Sequence, residues 1–180
     1  MNRLNKHYQS IVSYDLLTKF NYTNSFQLPN IEKISINMSS LEIILEKKKI
    51  IQLLLSIELI TGQTGKITIS KKNKIHLKIK KGMIVGCKVT LNKKQSYVFL
   101  DNLILFVLPH IKNFKGFKIN NKMPKTLSFQ INNFLNFFEL QNEFLTFSNL
   151  PPLNISINTN SKDINELTLL LNSINFPIQK

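Results

Sequence analysis

Ten lysines lie between Lys66 and Lys94, and their type and spacing define a chemistry more clearly than any other residues of this chain. Each carries an ammonium group that attracts phosphate or carboxylate oxygens as a point charge. No aspartate or glutamate lies between Glu58 and Asp101, so local ion pairs cannot neutralise the block, and its charge must face water or an anionic partner. The ten are Lys66, Lys71, Lys72, Lys74, Lys78, Lys80, Lys81, Lys88, Lys93 and Lys94.

The other candidate reactive residues give little support to catalysis. The histidines (His7, His76 and His110) lie far apart, with no carboxylate at ligand spacing, and the ten carboxylates are scattered, whereas a metal-dependent nuclease needs clustered acids. Cys87 is the only cysteine, which excludes an internal disulfide, and its β-rich surroundings favour a buried, inert thiol over a nucleophile. Gly62-Gln-Thr-Gly65-Lys66 has the wrong glycine spacing for a phosphate loop. We therefore predict no enzyme, no metal, no cofactor and no small-molecule substrate.

Composition indicates a polyanionic partner. The chain has 180 residues, 43% of them hydrophobic, enough for a single domain with one core, and its net charge is +14. Nucleic acid fits this charge best. A membrane surface is the competing partner, but the lysines lie on β-rich sequence rather than on one amphipathic helix, so we expect no membrane binding. Alanine and tryptophan are absent and lysine, isoleucine and asparagine abound, which indicates an A/T-rich genome and accounts for part of the lysine content.

The amino-terminal third must supply elements that flank the basic block. Helical spacing of apolar residues predicts a surface helix from Leu4 to Phe20, and isoleucines predict a strand from Ile31 to about Met38. The motif Ser39-x-x-Glu42 is a capping-box signature for a helix from about Ser40 to Ile60. Gly62 is expected to end that helix.

The basic block itself predicts strands from about Lys66 to Leu91, broken at Lys71-Lys-Asn-Lys74 and at Lys81-Gly82. Their β-forming residues are Ile67, Ile69, Ile75, Leu77, Ile79, Val85, Val89 and Leu91. The remaining predicted elements are a helix from Lys94 to Leu108 that ends at Pro109, a loop from Lys112 to Lys125, a strand from Asn154 to Thr159, and a helix from Ser161, as its cap, to Ile174.

The segment from Leu127 to Leu150 is compatible with either a strand or short helices. Its phenylalanines could stack on bases, but at this density core packing is favoured. They are Phe134, Phe137, Phe138, Phe144 and Phe147. Together these elements predict an α+β fold, a mostly antiparallel sheet with helices packed on one face.

The order and spacing of several motifs resemble the ribosomal large-subunit protein five family, which binds 5S rRNA. The most specific is Gly86-Cys-Lys-Val-Thr-Leu91, placed after Thr61-Gly-Gln63. The resemblance extends over nearly the whole chain. Its other motifs are Phe20-Asn-Tyr22, Gln27-Leu-Pro29, Ile31-Glu-Lys-Ile34, Asn37-Met38, Lys78-Ile79, Gly82, Pro109, Ile111, Phe114, Gly116, Phe176-Pro177 and Lys180.

This resemblance implies a recognition-motif-like fold in the central protuberance of the large ribosomal subunit. It implies binding to rRNA (5S rRNA where the ribosome has one, otherwise large-subunit rRNA), to the P-site tRNA, and to neighbouring ribosomal proteins that include one of the small-subunit head. The rRNA-binding residues expected are Lys33, Asn37, Ser39, Gln63, Lys66, Thr68, Lys88 and Thr90. The loop expected to face tRNA carries Lys71, Lys72, Asn73, Lys74, Lys78, Lys80 and Lys81.

The sequence also departs from the family pattern, at Ser39-Ser40-Leu41 and from Phe129 to Asn142. Such divergence fits a mitochondrially encoded protein of a mitochondrial ribosome better than a bacterial or plastid one. The principal alternative is an organellar RNA-binding or ribosome-assembly factor that is not a stoichiometric ribosome component.

Overall fold

The structure, a computed structural model, describes residues 3–40, 46, 48–120, 123–147 and 150–179, apart from the side chains of Leu135 and Phe144. Five strands form an antiparallel sheet in the order β2-β3-β1-β5-β4, and helices pack against it. The predicted α+β class is therefore confirmed. The strands are β1 (Ile31–Ser39), β2 (Lys66–Ile69), β3 (Ile84–Asn92), β4 (Thr126–Ile131) and β5 (Leu153–Thr159).

The helices lie before, between and after these strands along the chain. π-helical turns at Tyr8–Val12 and Leu103–Val107 continue the first and fourth helices, and 3-10 turns occur at Ser25–Gln27, Ile75–Leu77, Leu108–His110 and Phe134–Asn136. The helices are α1 (Arg3–His7), α2 (Ser13–Lys19), α3 (Lys49–Thr61), α4 (Lys94–Asn102), α5 (Phe138–Gln141), α6 (Phe144–Phe147) and α7 (Ile164–Ser173).

The chain divides into two compact units. Strands β1, β3, β4 and β5 each contribute residues to both. The first unit comprises Met1–Ile34, Leu91–Phe129 and Ser156–Lys180, and the second comprises Ser35–Thr90 and Gln130–Ile155.

Aromatic and hydroxyl contacts organise the first unit. The Tyr8 hydroxyl donates to the Pro29 carbonyl at 2.9 Å, and its ring lies 6.3 Å from the ring of Tyr97. The ring of Phe117 lies 4.0 Å from Phe129. Aromatic rings at such distances pack favourably edge to face or offset, so these rings help to hold the amino-terminal helices and the segment before β4 in place.

In the second unit, helix α3 packs against the inner face of the sheet. The buried Ser56 hydroxyl lies 3.7 Å from the sulfur of Met38. A Cβ placed on Gly65 would lie 3.1 Å from Leu54 of the helix and 3.7 Å from Val89 of β3, so Gly65 lies where helix and strand meet. Gly62 ends the helix as predicted, since its φ of +66° is left-handed and its N–H donates to the Glu58 carbonyl at 2.7 Å. The opposite face of these strands is therefore left open.

Most predicted elements are confirmed. The segment from Leu4 to Phe20 is helical as far as Lys19, and the strands predicted at Ile31 and Asn154 are β1 and β5. Leu127 to Leu150 contains both alternatives, β4 followed by short helices. In the predicted loop from Lys112 to Lys125, the described residues form turns, coil and one bridge.

Two predicted helix boundaries are wrong. Helix α3 begins at Lys49, whereas Ser40 and Glu46 lie outside it; Glu42 of the predicted capping box lies outside the described residues. The helical segment after Lys94 continues through Pro109 to His110, because a proline at the start of a 3-10 turn leaves no hydrogen bond unmade.

The prediction that Ser161 caps the last helix is also wrong. Its side chain is fully buried and donates to the Pro124 carbonyl at 2.7 Å. Asp163 occupies the cap position instead, and the Glu166 carboxylate accepts the Lys162 N–H at 2.8 Å. The tertiary partner therefore outcompetes the local one for the serine hydroxyl.

The predicted strand at Ile75 and Leu77 is a 3-10 turn. Ile75 is 87% exposed and Leu77 is 42% exposed, so neither has a neighbouring strand or helix to pack against. β-Propensity expresses packing on a half-buried pleated surface, and it does not form a strand where that surface is missing.

Candidate RNA-binding surface

Strands β2 and β3 form an antiparallel ribbon whose register brings lysines together. Lys66 is directly opposite Lys88, and Thr68 is directly opposite Gly86, so these four residues share one face. Lys66 and Lys88 are exposed, whereas Cys87, which points the other way, is buried. Like charges directly opposite each other destabilise a strand pair. An anion bound between the two ammonium groups would remove that repulsion.

Strand β1 adds uncharged hydrogen-bonding groups to the same open face. Met38 is buried, while Asn37 is half-buried and Ser39 exposed on the other side of the strand. A Cβ on Gly86 would lie 2.1 Å from the Met38 carbonyl oxygen, a distance that no real side chain adopts. Gly86 therefore permits β1 and β3 to approach, and this approach fixes the spacing of the polar groups above them.

Backbone hydrogen bonds link the two arms of the segment Ser70–Met83, here called the basic loop. The Ser70 N–H donates to the Met83 carbonyl at 2.8 Å, which closes the base of the loop. Lys74 and Ile79 exchange backbone bonds at 2.8 and 3.1 Å, which closes its upper part. Ile79 is buried and anchors the loop. The lysines thus lie on a hydrogen-bonded loop that connects β2 to β3.

The charged side chains of the basic loop all point to solvent. The amide oxygen of Asn73 accepts the Lys81 N–H at 2.7 Å, so Asn73 holds the two arms of the loop together. Among the described residues, the side-chain ion pairs are Arg3 with Asp101 at 2.6 Å and Lys49 with Glu46, and none involves this loop. Its exposed lysines are Lys71, Lys72, Lys74, Lys78, Lys80 and Lys81.

A shallow depression of about 490 Å³ lies where the open face meets the basic loop. Strand residues contribute hydroxyl and amide groups, and the loop contributes ammonium groups. Its lining residues are Asn37, Ser39, Thr68, Ile69, Ser70, Lys71, Lys72, Lys74, Ile79 and Val85.

The sequence of this chain is similar to that of known ribosomal proteins. A family model that describes the C-terminus of the ribosomal protein L5 family matches residues 84–178. The chain is 41% identical, over the full length of both, to large ribosomal subunit protein uL5m of Reclinomonas americana. The chain belongs to the ribosomal protein L5 family. It is also 33% identical to uL5 of Blochmanniella floridana, over 99% of this chain and 94% of that protein, and 35% identical to uL5 of Buchnera aphidicola subsp. Cinara cedri, over the full length of both.

Membership of this family confirms the resemblance seen in the sequence. The family consists of structural proteins of the ribosome, so the chain is a ribosomal protein and not an enzyme. The family motif Gly86-Cys-Lys-Val-Thr-Leu91 forms most of β3, where it alternates between the buried and open faces. Glycine is required at Gly86 because a side chain there would collide with the Met38 carbonyl oxygen.

Some of the expected RNA-binding residues of this ribosomal protein line the depression, and others do not. Thr90 lies further along the open face of β3, and Lys33 belongs to the first unit. Gln63 lies in the turn after α3, where its side-chain oxygen is buried without a hydrogen-bond partner. Those that line the depression are Asn37, Ser39, Thr68, Lys71, Lys72 and Lys74, beside the Lys66–Lys88 pair; Lys78, Lys80 and Lys81 belong to the basic loop outside it.

Sequence reasoning missed the apolar part of this surface. Ile69 and Val85 line the depression because the register shifts between Thr68 and Ile69: Thr68 pairs with Gly86, but Ile69 pairs with Ile84. Val85 is the extra residue of a β-bulge, which turns its side chain away from the position that simple alternation gives. Only the pairing register reveals this.

The prediction for Cys87 is confirmed, and that for the phenylalanines is confirmed in part. Cys87 is fully buried, and burial raises the pKa of its thiol to about 12, so the thiolate is not available as a nucleophile. Phe134, Phe137 and Phe147 are buried as predicted, whereas Phe138 is 69% exposed. No group of three potential metal ligands occurs among the described residues.

Among the described residues, no helix combines the length and the apolar character needed to cross a bilayer.

Proposed function

We propose that this protein is a structural constituent of the large ribosomal subunit that binds rRNA through the open face of β1, β2 and β3. The observation that carries the proposal is the Lys66–Lys88 pair beside an acid-free basic loop. Lysines give affinity for phosphates with little sequence discrimination. The proposed rRNA-binding residues are Lys33, Asn37, Ser39, Gln63, Lys66, Thr68, Lys88 and Thr90.

The rRNA proposed as the partner is 5S rRNA in the central protuberance, or large-subunit rRNA in a ribosome without 5S rRNA. The uncharged groups of the open face support recognition of RNA in particular. Hydroxyl and amide groups, such as those of Ser39 and Asn37, can pair with the ribose 2′-hydroxyl and with base edges, which phosphate contacts alone cannot do.

The basic loop is proposed to face the P-site tRNA. Its hydrogen-bonded base and the buried Ile79 hold six exposed lysines on a fixed framework, so their charges reach outward without the entropy cost of a disordered tail. Another edge of the protein is proposed to meet a protein of the small-subunit head. The loop residues concerned are Lys71, Lys72, Asn73, Lys74, Lys78, Lys80 and Lys81.

The compartment proposed is the mitochondrial matrix. The A/T-rich codon bias of the composition supports it, and so does the similarity to uL5m of Reclinomonas americana, since the bacterial relatives reported above are less similar. A plastid or bacterial ribosome is the competing location.

Neutralising the loop tests the electrostatic part of the proposal. The variant Lys71→Ala/Lys72→Ala/Lys74→Ala should weaken binding to the ribosome or to tRNA without unfolding the protein, and each lost phosphate contact should reduce the slope of log K against log salt by about 0.7 to 0.9. A matched control, Lys6→Ala/Lys19→Ala/Lys162→Ala, removes the same charge from exposed positions of the first unit and should leave the slope nearly unchanged. Salt-independent binding of the wild type to rRNA would contradict the electrostatic account.

A ribosome-assembly factor is the alternative function. Sucrose-gradient sedimentation distinguishes the two, because a ribosomal protein co-migrates stoichiometrically with large subunits in high salt. A factor would appear only with precursor particles or at the top of the gradient, and that result would exclude the proposed role.

A further inference from the structure

The depression beside the basic loop contains apolar side chains that binding to phosphate does not require. Ile69 is 61% exposed at the edge strand, and Val85 is half-buried beside it. Exposed apolar surface on an RNA-binding face stays in water until a ligand covers it. These two residues therefore indicate a ligand that has an apolar face as well as charge.

The β-bulge is what places this apolar wall among polar groups. Because Thr68 pairs with Gly86 and Ile69 with Ile84, Val85 has no partner of its own on β2. Bulges turn the local strand and redirect a side chain. Val85 and Ile69 consequently line the same depression as the Thr68 hydroxyl.

The polar groups of the depression fall into two chemical sets. The strands supply Asn37, Ser39 and Thr68, which can exchange hydrogen bonds with a hydroxyl group. The loop supplies three ammonium groups, and the Ser70 hydroxyl is already committed to the Lys72 carbonyl at 2.7 Å. Apolar wall, hydrogen-bonding groups and cations correspond to the base, ribose and phosphate of one nucleotide. The lysines are Lys71, Lys72 and Lys74.

We propose that the depression seats a single unstacked nucleotide of the bound rRNA. The base lies against Ile69 and Val85, the 2′-hydroxyl meets the strand groups, and the phosphate meets the loop lysines. The volume of about 490 Å³ lies within the range of about 300 to 1,000 Å³ typical of small-molecule sites. Sequence-specific RNA recognition generally targets such splayed-out nucleotides. This inference rests on the proposed rRNA-binding function.

Contact between the base and the two apolar side chains should contribute to the binding free energy in a way that salt does not screen. In Ile69→Ser all lysines remain, so the slope of log K against log salt should stay at its wild-type value. The affinity for in vitro transcribed 5S or large-subunit rRNA should fall on the order of tenfold at every salt concentration, because apolar contact with the base is lost. Ile67→Ser is the control, since Ile67 is 48% exposed on the same strand, pairs with the buried Cys87 and is not among the lining residues.

Chemical probing of the RNA gives the second measurement. With the wild-type protein, one nucleotide should show a base protected from modification while its neighbours respond only to backbone contact, and this protection should be lost with Ile69→Ser. The isosteric variant Val85→Thr should lose the same protection, which guards against a folding defect in one variant; melting temperatures are measured for all three.

The outcomes distinguish the proposed nucleotide site from the proposed binding to rRNA as a whole. Wild-type affinity of Ile69→Ser, an equal loss in Ile67→Ser, or a loss without change at any single base would each overturn the proposed nucleotide site while leaving rRNA binding in place. If the wild-type protein binds neither 5S nor large-subunit rRNA, the proposed function itself fails.

Discussion

Replacing Gly86 with alanine should destabilise the protein far more than the added methyl group suggests. The new Cβ would lie 2.1 Å from the Met38 carbonyl oxygen and 2.9 Å from the Ser39 Cα. Because an ordinary carbon–oxygen contact is about 3.3 Å, β1 and β3 would have to separate locally by about 1.2 Å. Backbone hydrogen bonds of about 2.9 Å would then stretch to about 4 Å, beyond bonding range.

The cost follows from the bonds lost. Two backbone bonds beside Gly86, with their buried groups left unpaired, correspond to about 2 to 4 kcal/mol. For a chain of this size, that loss lowers the melting temperature by roughly 4 to 16 °C. Differential scanning calorimetry measures it directly, and urea denaturation gives the same free energy independently.

Gly62→Ala is the matched control for this prediction. Gly62 has a left-handed backbone, with φ of +66°, but a Cβ there meets no heavy atom within 4 Å. Its cost is the left-handed strain alone, about 1 to 2 kcal/mol. If Gly86→Ala melts at or above the temperature of Gly62→Ala, steric exclusion at the β1–β3 junction is not the reason for that glycine.

Three further predictions concern buried polar groups. Because burial raises the pKa of Cys87 from 9.0 to about 12, the folded state holds this proton while the unfolded state loses it. The free energy of unfolding should therefore fall as pH rises above 9, and urea titrations of Cys87→Ser should show a shallower fall. Glu166→Ala should cost about 2 to 3 kcal/mol in thermal unfolding, because its carboxylate accepts the Tyr22 hydroxyl at 3.1 Å and the Lys162 N–H at 2.8 Å; an unchanged melting temperature would contradict this. Ser161→Ala should lower the free energy of unfolding, measured by chemical denaturation, by about 1 to 2 kcal/mol, since the buried Ser161 hydroxyl donates to a backbone carbonyl at 2.7 Å. If Ser161 only capped the helix, Ser161→Asp would restore the stability that Ser161→Ala loses.

The faces of the strands could be predicted from the sequence because alternation is a local property. In β1, Ile36 and Met38 are buried and Asn37 lies on the open face, as their order along the chain implies. Gly62 ends its helix for a similarly local reason, the need for a left-handed residue. Such features depend on one segment and its neighbours in sequence.

The features that could not be predicted depend on partners distant in sequence. Ser161 binds the Pro124 carbonyl, Val85 is displaced by the register of β2 against β3, and Ile75 lacks a packing partner. Propensity and periodicity carry no information about these partners. The sequence therefore predicts the lysines of the candidate surface, but not Ile69 and Val85 beside them.

The opposed lysines of β2 and β3 also bear on the fate of copies that have not yet found RNA. Repulsion between Lys66 and Lys88 weakens the edge of the sheet in the free chain, and a bound polyanion relieves it. A chain without its partner consequently spends more time with this edge open, and the open form is what proteases cleave. The charge that serves binding would thus make this edge more open to proteases in free copies than in bound ones.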